Sequence, residues 1–179
     1  MVVESSKSTT MATLTTNSLA EQEGTRASIN DLHTNSLVKN FAINESKAVK
    51  KLISATEKDH MQVKRNKSST TLTFSAAAYL LFKKLIDEYM KQYFEKGQAQ
   101  IRNAKDTDKA IVDHCIHFND GIKSYVLNMY NTRCSAMING RDYEQFDEIT
   151  EKVKQVFSDQ IMMLNKQNEA LKIELQKVA

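Results

Sequence analysis

Apolar residues fall at helical spacing in the longest patterned stretch of the chain, "FSAAAYLLFKKLIDEYMKQYFEKGQAQI", Phe74 to Ile101. Phe82, Leu85, Ile86, Tyr89, Met90, Tyr93 and Phe94 recur three and four apart, which predicts a helix with a wide apolar face. Lys83, Lys84, Asp87, Glu88, Lys91 and Gln92 fill its other face, and Thr73 or Ser75 can cap its start. Gly97 then lies inside the helix, at a cost of about 1 kcal/mol against Ala. Upstream, Val49, Leu52 and Ile53 predict a shorter helix near 45–57 with Asn44 as its N-cap. Residues 58–71 are polar and basic and read as a linker or a short helix.

Downstream, "DTD" at 106–108 breaks the pattern. A short helix over Lys109–Phe118 is expected next, carrying Ile111, Val112, Cys115, Ile116 and Phe118, and "NDG" at 119–121 stops it. A further helix from about Ile122 to Ile138 would present Tyr125, Val126, Met129, Tyr130 and Met137, and ends at "NG" 139–140. The last helix is expected over Tyr143–Val178. Within it Phe157, Ile161, Leu164, Asn168, Leu171, Leu175 and Val178 alternate at spacings of four and three, a coiled-coil seam with one polar Asn. Such a seam serves an intramolecular bundle or an intermolecular coil equally well.

Composition supports an all-α reading. Proline is absent and glycine occurs four times in 179 residues, whereas tight turns and β-hairpins draw on both. Residues 1–36 hold thirteen Ser or Thr and no apolar period, so a flexible arm over 1–44 is expected. A helical domain over 45–138 and a C-terminal helix over 139–179 complete the organisation. No membrane span and no secretory signal are visible, and two cysteines make no disulfide framework, which points to a reducing compartment. Net charge is a mild +3, but residues 47–67 carry seven Lys or Arg against Glu57 and Asp59, while residues 141–179 carry six basic and eight acidic residues. The first segment can face an anion and the second cannot.

Catalytic chemistry finds little support. "DHCIH", Asp113 to His117, is the one cluster of ligand-type residues. His114 and His117 could share a metal with Cys115 or Cys134, but on a helix Cys115 points away from both and no second pair exists. Phosphate-loop, nucleophile-elbow and zinc-protease motifs are absent. No catalytic residue, metal or cofactor is expected, and the chain reads as a non-enzyme.

The order of short helix, basic linker, long helix, short helix and extra helix resembles the histone fold. The stretch "FSAAAYLLFKKLIDEYMKQYFEKGQAQIRNAKDTDKAIVDHCIHF", Phe74 to Phe118, looks like the central and third helices of a core histone, with "YVLNMYNTRCSAMI", Tyr125 to Ile138, as an extra C-terminal helix. The resemblance implies a handshake dimer, with a second copy or a partner of the same fold, through Phe82, Leu85, Ile86, Tyr89, Met90, Tyr93 and Phe94. It also implies DNA-backbone contacts from Lys58, Lys64, Arg65 and Lys67 before the central helix and from Arg102, Lys105 and Lys109 after it. Asp106 and Asp108, beside those cations, depart from the histone pattern and weaken phosphate contact there. The expectation is a histone-like architectural protein that binds DNA without reading its sequence, in a nucleus or a virion, otherwise in the cytoplasm, for instance in viral DNA packaging. The alternative is a helical scaffold protein of a larger assembly, acting by protein–protein contacts alone.

Overall fold

The computed structural model describes residues 34–38, as backbone, and 41–179. The expected arm lies outside the described residues as far as residue 33. The described chain belongs to the compact unit His33–Ala179. Its elements are β1 (Thr34–Val38), α1 (Glu45–Thr56), β2 (Met61–Arg65), β3 (Ser69–Phe74), α2 (Ala76–Glu95), β4 (Ala99–Lys105), β5 (Ile111–Asn119), β6 (Ser124–Tyr130), β7 (Ser135–Asn139), a 3₁₀ turn (Tyr143–Phe146), α3 (Asp147–Asp159) and α4 (Ile161–Val178).

The fold is therefore α/β, which overturns the all-α expectation and with it the histone fold. Seven strands form one sheet in the order β1-β4-β5-β6-β7-β3-β2. All neighbours are antiparallel except β1, which runs parallel to β4 along one edge. The three segments that misled the pattern are identifiable. Gly97 ends the long helix in a left-handed conformation (φ 69°) instead of sitting inside it, and the residues after it form β4. Lys109–Phe118 is not a helix: its apolar Val112, Ile116 and Phe118 are spaced by multiples of two, and all three are buried from β5. Ile122–Ile138 is a hairpin, in which Tyr125, Leu127, Met129, Ala136 and Ile138 alternate inward. Apolar residues four apart satisfy a helix and a strand alike, so spacing alone could not separate them.

Few glycines sufficed because other residues make the turns. Cys134 (φ 49°) and Lys109 (φ 65°) adopt the left-handed region between strands, at a cost of about 1–2 kcal/mol each for a side chain with Cβ. Between β5 and β6, Asp120 accepts from the amides of Ile122 and Lys123 (2.9 and 2.7 Å).

Helix α2 forms as expected and crosses one face of the sheet. Ser75 caps it, its hydroxyl accepting from the Ala78 amide (3.3 Å). Tyr79, Phe82, Ile86 and Met90 are buried from the helix against Leu72, Phe74, Ile116, Leu127 and Ile138 from the strands. Phe74 stacks on Phe82 (4.5 Å between centroids) and meets Phe157 of α3 edge-on (6.1 Å). Helices α1, α3 and α4 join α2 on this side, α1 and α3 each touching both α2 and α4. The expected last helix breaks at Gln160 into α3 and α4.

Candidate nucleic-acid interface

Strand periodicity places every second residue on the face away from the helices. Across that open face the registers align Arg102, Cys115, Asn128, Met137, Thr71 and Lys64 in one row from β4 to β2. A parallel row holds Gln100, His117, Val126, Asn139 and Ser69, and another Asp113, Tyr130, Ser135, Thr73 and Gln62. Along β5, β6, β7 and β3 the open-face positions are half-buried Ser, Thr, Asn, Val, Met and Cys together with His117, Tyr130 and one acid, Asp113. Arg102 and Lys64 stand exposed at the two sides of this floor.

The cations inferred from sequence divide into three groups. Lys64 and Lys67 lie on β2 and in the β2–β3 turn; Arg102, Lys105 and Lys109 lie on β4 and in the β4–β5 turn. Lys64, Lys67, Arg102 and Lys109 therefore sit on opposite flanks of the sheet, with Lys67 and Lys109 at opposite ends as well, whereas Lys105 alternates with Ile101 and Asn103 to the helix side of β4. Arg65 points to the helix side and is paired with Asp147 at the start of α3 (2.6 Å). Lys58 lines a separate hollow beside His60 and Phe157. Neither joins the others on the open face.

Local electrostatics keep this face simple. The carboxylate of Asp106 is turned into its own loop and is almost wholly buried. It accepts from the amides of Ile43 (2.9 Å), Ala110 (2.8 Å) and Asp108 (3.1 Å), and these bonds hold it below the usual carboxylate range. Of the two acids that the sequence set against phosphate contact, only Asp108 reaches solvent. On β5, burial and then the neighbouring Arg102 push the His117 imidazole below its ordinary value. Burial raises the Cys115 thiol. His117 thus adds no charge to the face near neutrality.

The other sequence-inferred sites fall elsewhere. His114 faces the helices and His117 the open side, so the two cannot share a metal as helix neighbours would. Among the described residues no group of three or more His, Cys, Asp or Glu converges. The surface that the histone comparison gave to a partner chain is taken up within this chain: Phe82, Ile86 and Met90 are fully buried, and Leu85, Tyr89, Tyr93 and Phe94 pack partly buried against the same core. Of the C-terminal seam, Phe157 on α3 and Leu164 and Asn168 on α4 are buried inside the chain, Leu171 and Leu175 are half-buried, and Ile161 and Val178 are exposed.

Sequence reasoning missed one polar cluster. Ser75 Oγ accepts from the Ala78 amide and from Asn168 Nδ2 (3.0 Å), so its single proton goes to His60 Nδ1 (3.0 Å). His60 must then carry its proton on Nε2, where it donates to Asn165 Oδ1 (2.9 Å). Asn168 Oδ1 accepts from the Ala77 amide (2.9 Å). Ser75 is wholly buried, so this serine–histidine pair fixes α4 to the start of α2 and is not a nucleophile. The polar residue in the seam was the one signal for it.

No family model, no curated protein and no solved structure matches this chain.

Proposed function

We propose that this protein is a non-enzymatic nucleic-acid-binding module that holds the phosphate backbone against its open sheet face. The reading rests on one observation: four cations, Lys64, Lys67, Arg102 and Lys109, lie on the two flanks of a hydrogen-bonding floor that carries one acid, Asp113, and that no described helix covers. Lysine and arginine supply the charge for phosphate, while the Ser, Thr and Asn side chains between them suit sugar and phosphate oxygens. Binding of this kind positions the ligand and carries little sequence preference. The acids of α3 and α4 belong to the other layer.

Titration with a labelled oligonucleotide at increasing salt tests it. If all four cations touch phosphates of B-form DNA, the slope of log K against log salt is about −3 to −4. Replacing Lys64, Lys67 and Arg102 by Ala together should flatten that slope while leaving the far-ultraviolet spectrum unchanged. Salt-independent binding, or none at low salt, removes the reading.

A second reading, docking of a protein helix, draws on a different surface. Between α2 and α4 lies an open hollow of about 590 Å³ lined by Ala77, Leu80, Leu81, Met163, Ala170 and Leu171 together with the polar Lys84, Gln160, Gln167 and Glu174. Leu80 is 52% and Met163 39% exposed there. Apolar lining flanked by Lys84 and Glu174 suits an amphipathic helix. A Leu80→Glu change that abolishes an assembly seen by light scattering, without altering nucleic-acid binding, would support it.

A further inference from the structure

Taking the open face as the nucleic-acid site, we infer that its ligand is a duplex, gripped from both sides, and not a single strand. Three features point the same way. The first is width. Arg102 and Lys64 occupy one row across β4, β5, β6, β7, β3 and β2, and five interstrand steps separate them by about 24 Å. A single extended strand laid along either flank leaves the opposite cations idle. The distance is wider than either groove of B-form DNA, about 12 and 6 Å, so cations at the two sides can reach phosphates on both strands around one groove.

The second feature is the floor. Single-strand binders hold successive bases on exposed aromatic rings. On this face Tyr130 is the sole Phe, Tyr or Trp of the described strands, at the end of β6, and the one other ring, His117, is half-buried on β5. The remaining aromatics of the strands, Phe74, Phe118 and Tyr125, are buried against the helices. Stacking has no platform here, whereas a duplex with its bases already stacked needs none.

The third feature is relief. The floor between the flanks consists of Thr71, Met137, Asn128 and Cys115 in the central row, all shorter than or as flexible as the Arg and Lys stems beside them. The surface is therefore low in the middle and charged at its rims, and no cation stands in the middle to read a base edge. Recognition by charge and shape follows, and the same chemistry serves a DNA or an RNA double helix.

The test compares a blunt DNA duplex, an RNA duplex and a DNA single strand of equal length, each titrated at several salt concentrations against the full-length protein. Two flank variants accompany the wild type: Lys64→Ala with Lys67→Ala, and Arg102→Ala with Lys109→Gly. Circular dichroism and the melting temperature check that both remain folded. The expected result is that at least one duplex binds more tightly than the single strand. Each flank variant should then lower the duplex salt slope by about 2, roughly 1 per cation lost. Which duplex binds better identifies the natural form. A single strand that binds as well as both duplexes, or a duplex slope that responds to one flank alone, overturns the inference while leaving nucleic-acid binding standing. Absence of binding to all three at low salt overturns the binding reading itself.

Discussion

Asn168 illustrates how one buried amide can hold two elements together. Its oxygen and nitrogen are both used, on the Ala77 amide and on Ser75 Oγ, and its residue is 4% exposed. An alanine there strands a buried amide and a buried hydroxyl lone pair, so Asn168→Ala should cost about 1–3 kcal/mol, measured as a shift in the urea midpoint at constant slope. His114 carries the main pH dependence above the carboxylate range. Burial, and then the charge of Lys83, push its imidazole down from 6.5 to about 4. Between those values the unfolded chain binds a proton that the folded chain refuses, so stability should fall as pH drops from about 6.5 to 4, by at most about 3 kcal/mol. His114→Gln should flatten that part of the stability curve. Below it, Asp106, Asp120 and Asp142 take over. Hydrogen bonds, first of all from backbone amides, hold all three below their ordinary values. The stability they contribute is present above the unfolded carboxylate pKa and is lost as pH falls through their folded values.

At the scale of elements, the turns explain how a chain with four glycines and no proline builds a seven-stranded sheet. The β4–β5 connection relies on the carboxylate of Asp106 to collect the loop amides, and Lys109 then takes a φ of 65°. That conformation suits glycine, and Lys109 is exposed. Lys109→Gly should therefore raise stability by up to about 1 kcal/mol through relief of the left-handed strain, partly offset by unfolded-chain entropy. A thermal melt reads this directly. The same variant should lose one unit of salt slope in duplex binding, so one residue separates a folding effect from a binding effect. Helix α1 and the amphipathic body of α2 were legible, but not the end of α2, which Gly97 closes where a continuing helix was expected. Asn44 caps α1 by accepting from the Lys47 amide, as expected, and of the two candidates Thr73 and Ser75 it is Ser75 that caps α2. Strands β5 and β6 were not legible, because Cys115–Ile116–Phe118 and Tyr125–Val126–Met129 fit a short helix as well as a strand. What separates the two readings is whether a neighbouring strand completes the hydrogen bonds, and for β5 those neighbours are β4 and β6.

Over the whole unit, α4 acts as a clasp across the helical layer. It contacts α1 and α2, buries Leu164 and Asn168, and ties its far end to Glu57 through Lys172 (2.7 Å). The exposed ion pair contributes little by itself. Removal of residues 161–179 should nonetheless unlink the buried Ser75 cluster and open the core beside Phe74 and Phe157. The truncated protein is expected to melt at a lower temperature with reduced cooperativity, and an unchanged melt would show that α4 is dispensable for the fold. Charge is distributed at this scale too. Lys64 and Lys67, and Arg102 and Lys109, distant in sequence, reach the two flanks of one surface because α2 carries the chain from β3 near one edge to β4 near the other.

By itself the amino-acid sequence determined the local features: the cap at Asn44, a cap at Thr73 or Ser75 for α2, the amphipathic face of α2, chain breaks at 119–121 and 139–140, and the identity of the cations. These depend on neighbours three or four residues away, and such information is contained in the chain's order. Only the tertiary structure decided that α2 packs on a sheet instead of on a second chain, that Arg65 turns to Asp147 while Lys64 does not, and that Asn168 serves Ser75. Each of these outcomes depends on which strand supplies the hydrogen bonds and apolar area that a segment cannot supply for itself. Alternating burial is a property of the pairing, and in this chain the pairing joins residues as distant as Thr73 and Ser135.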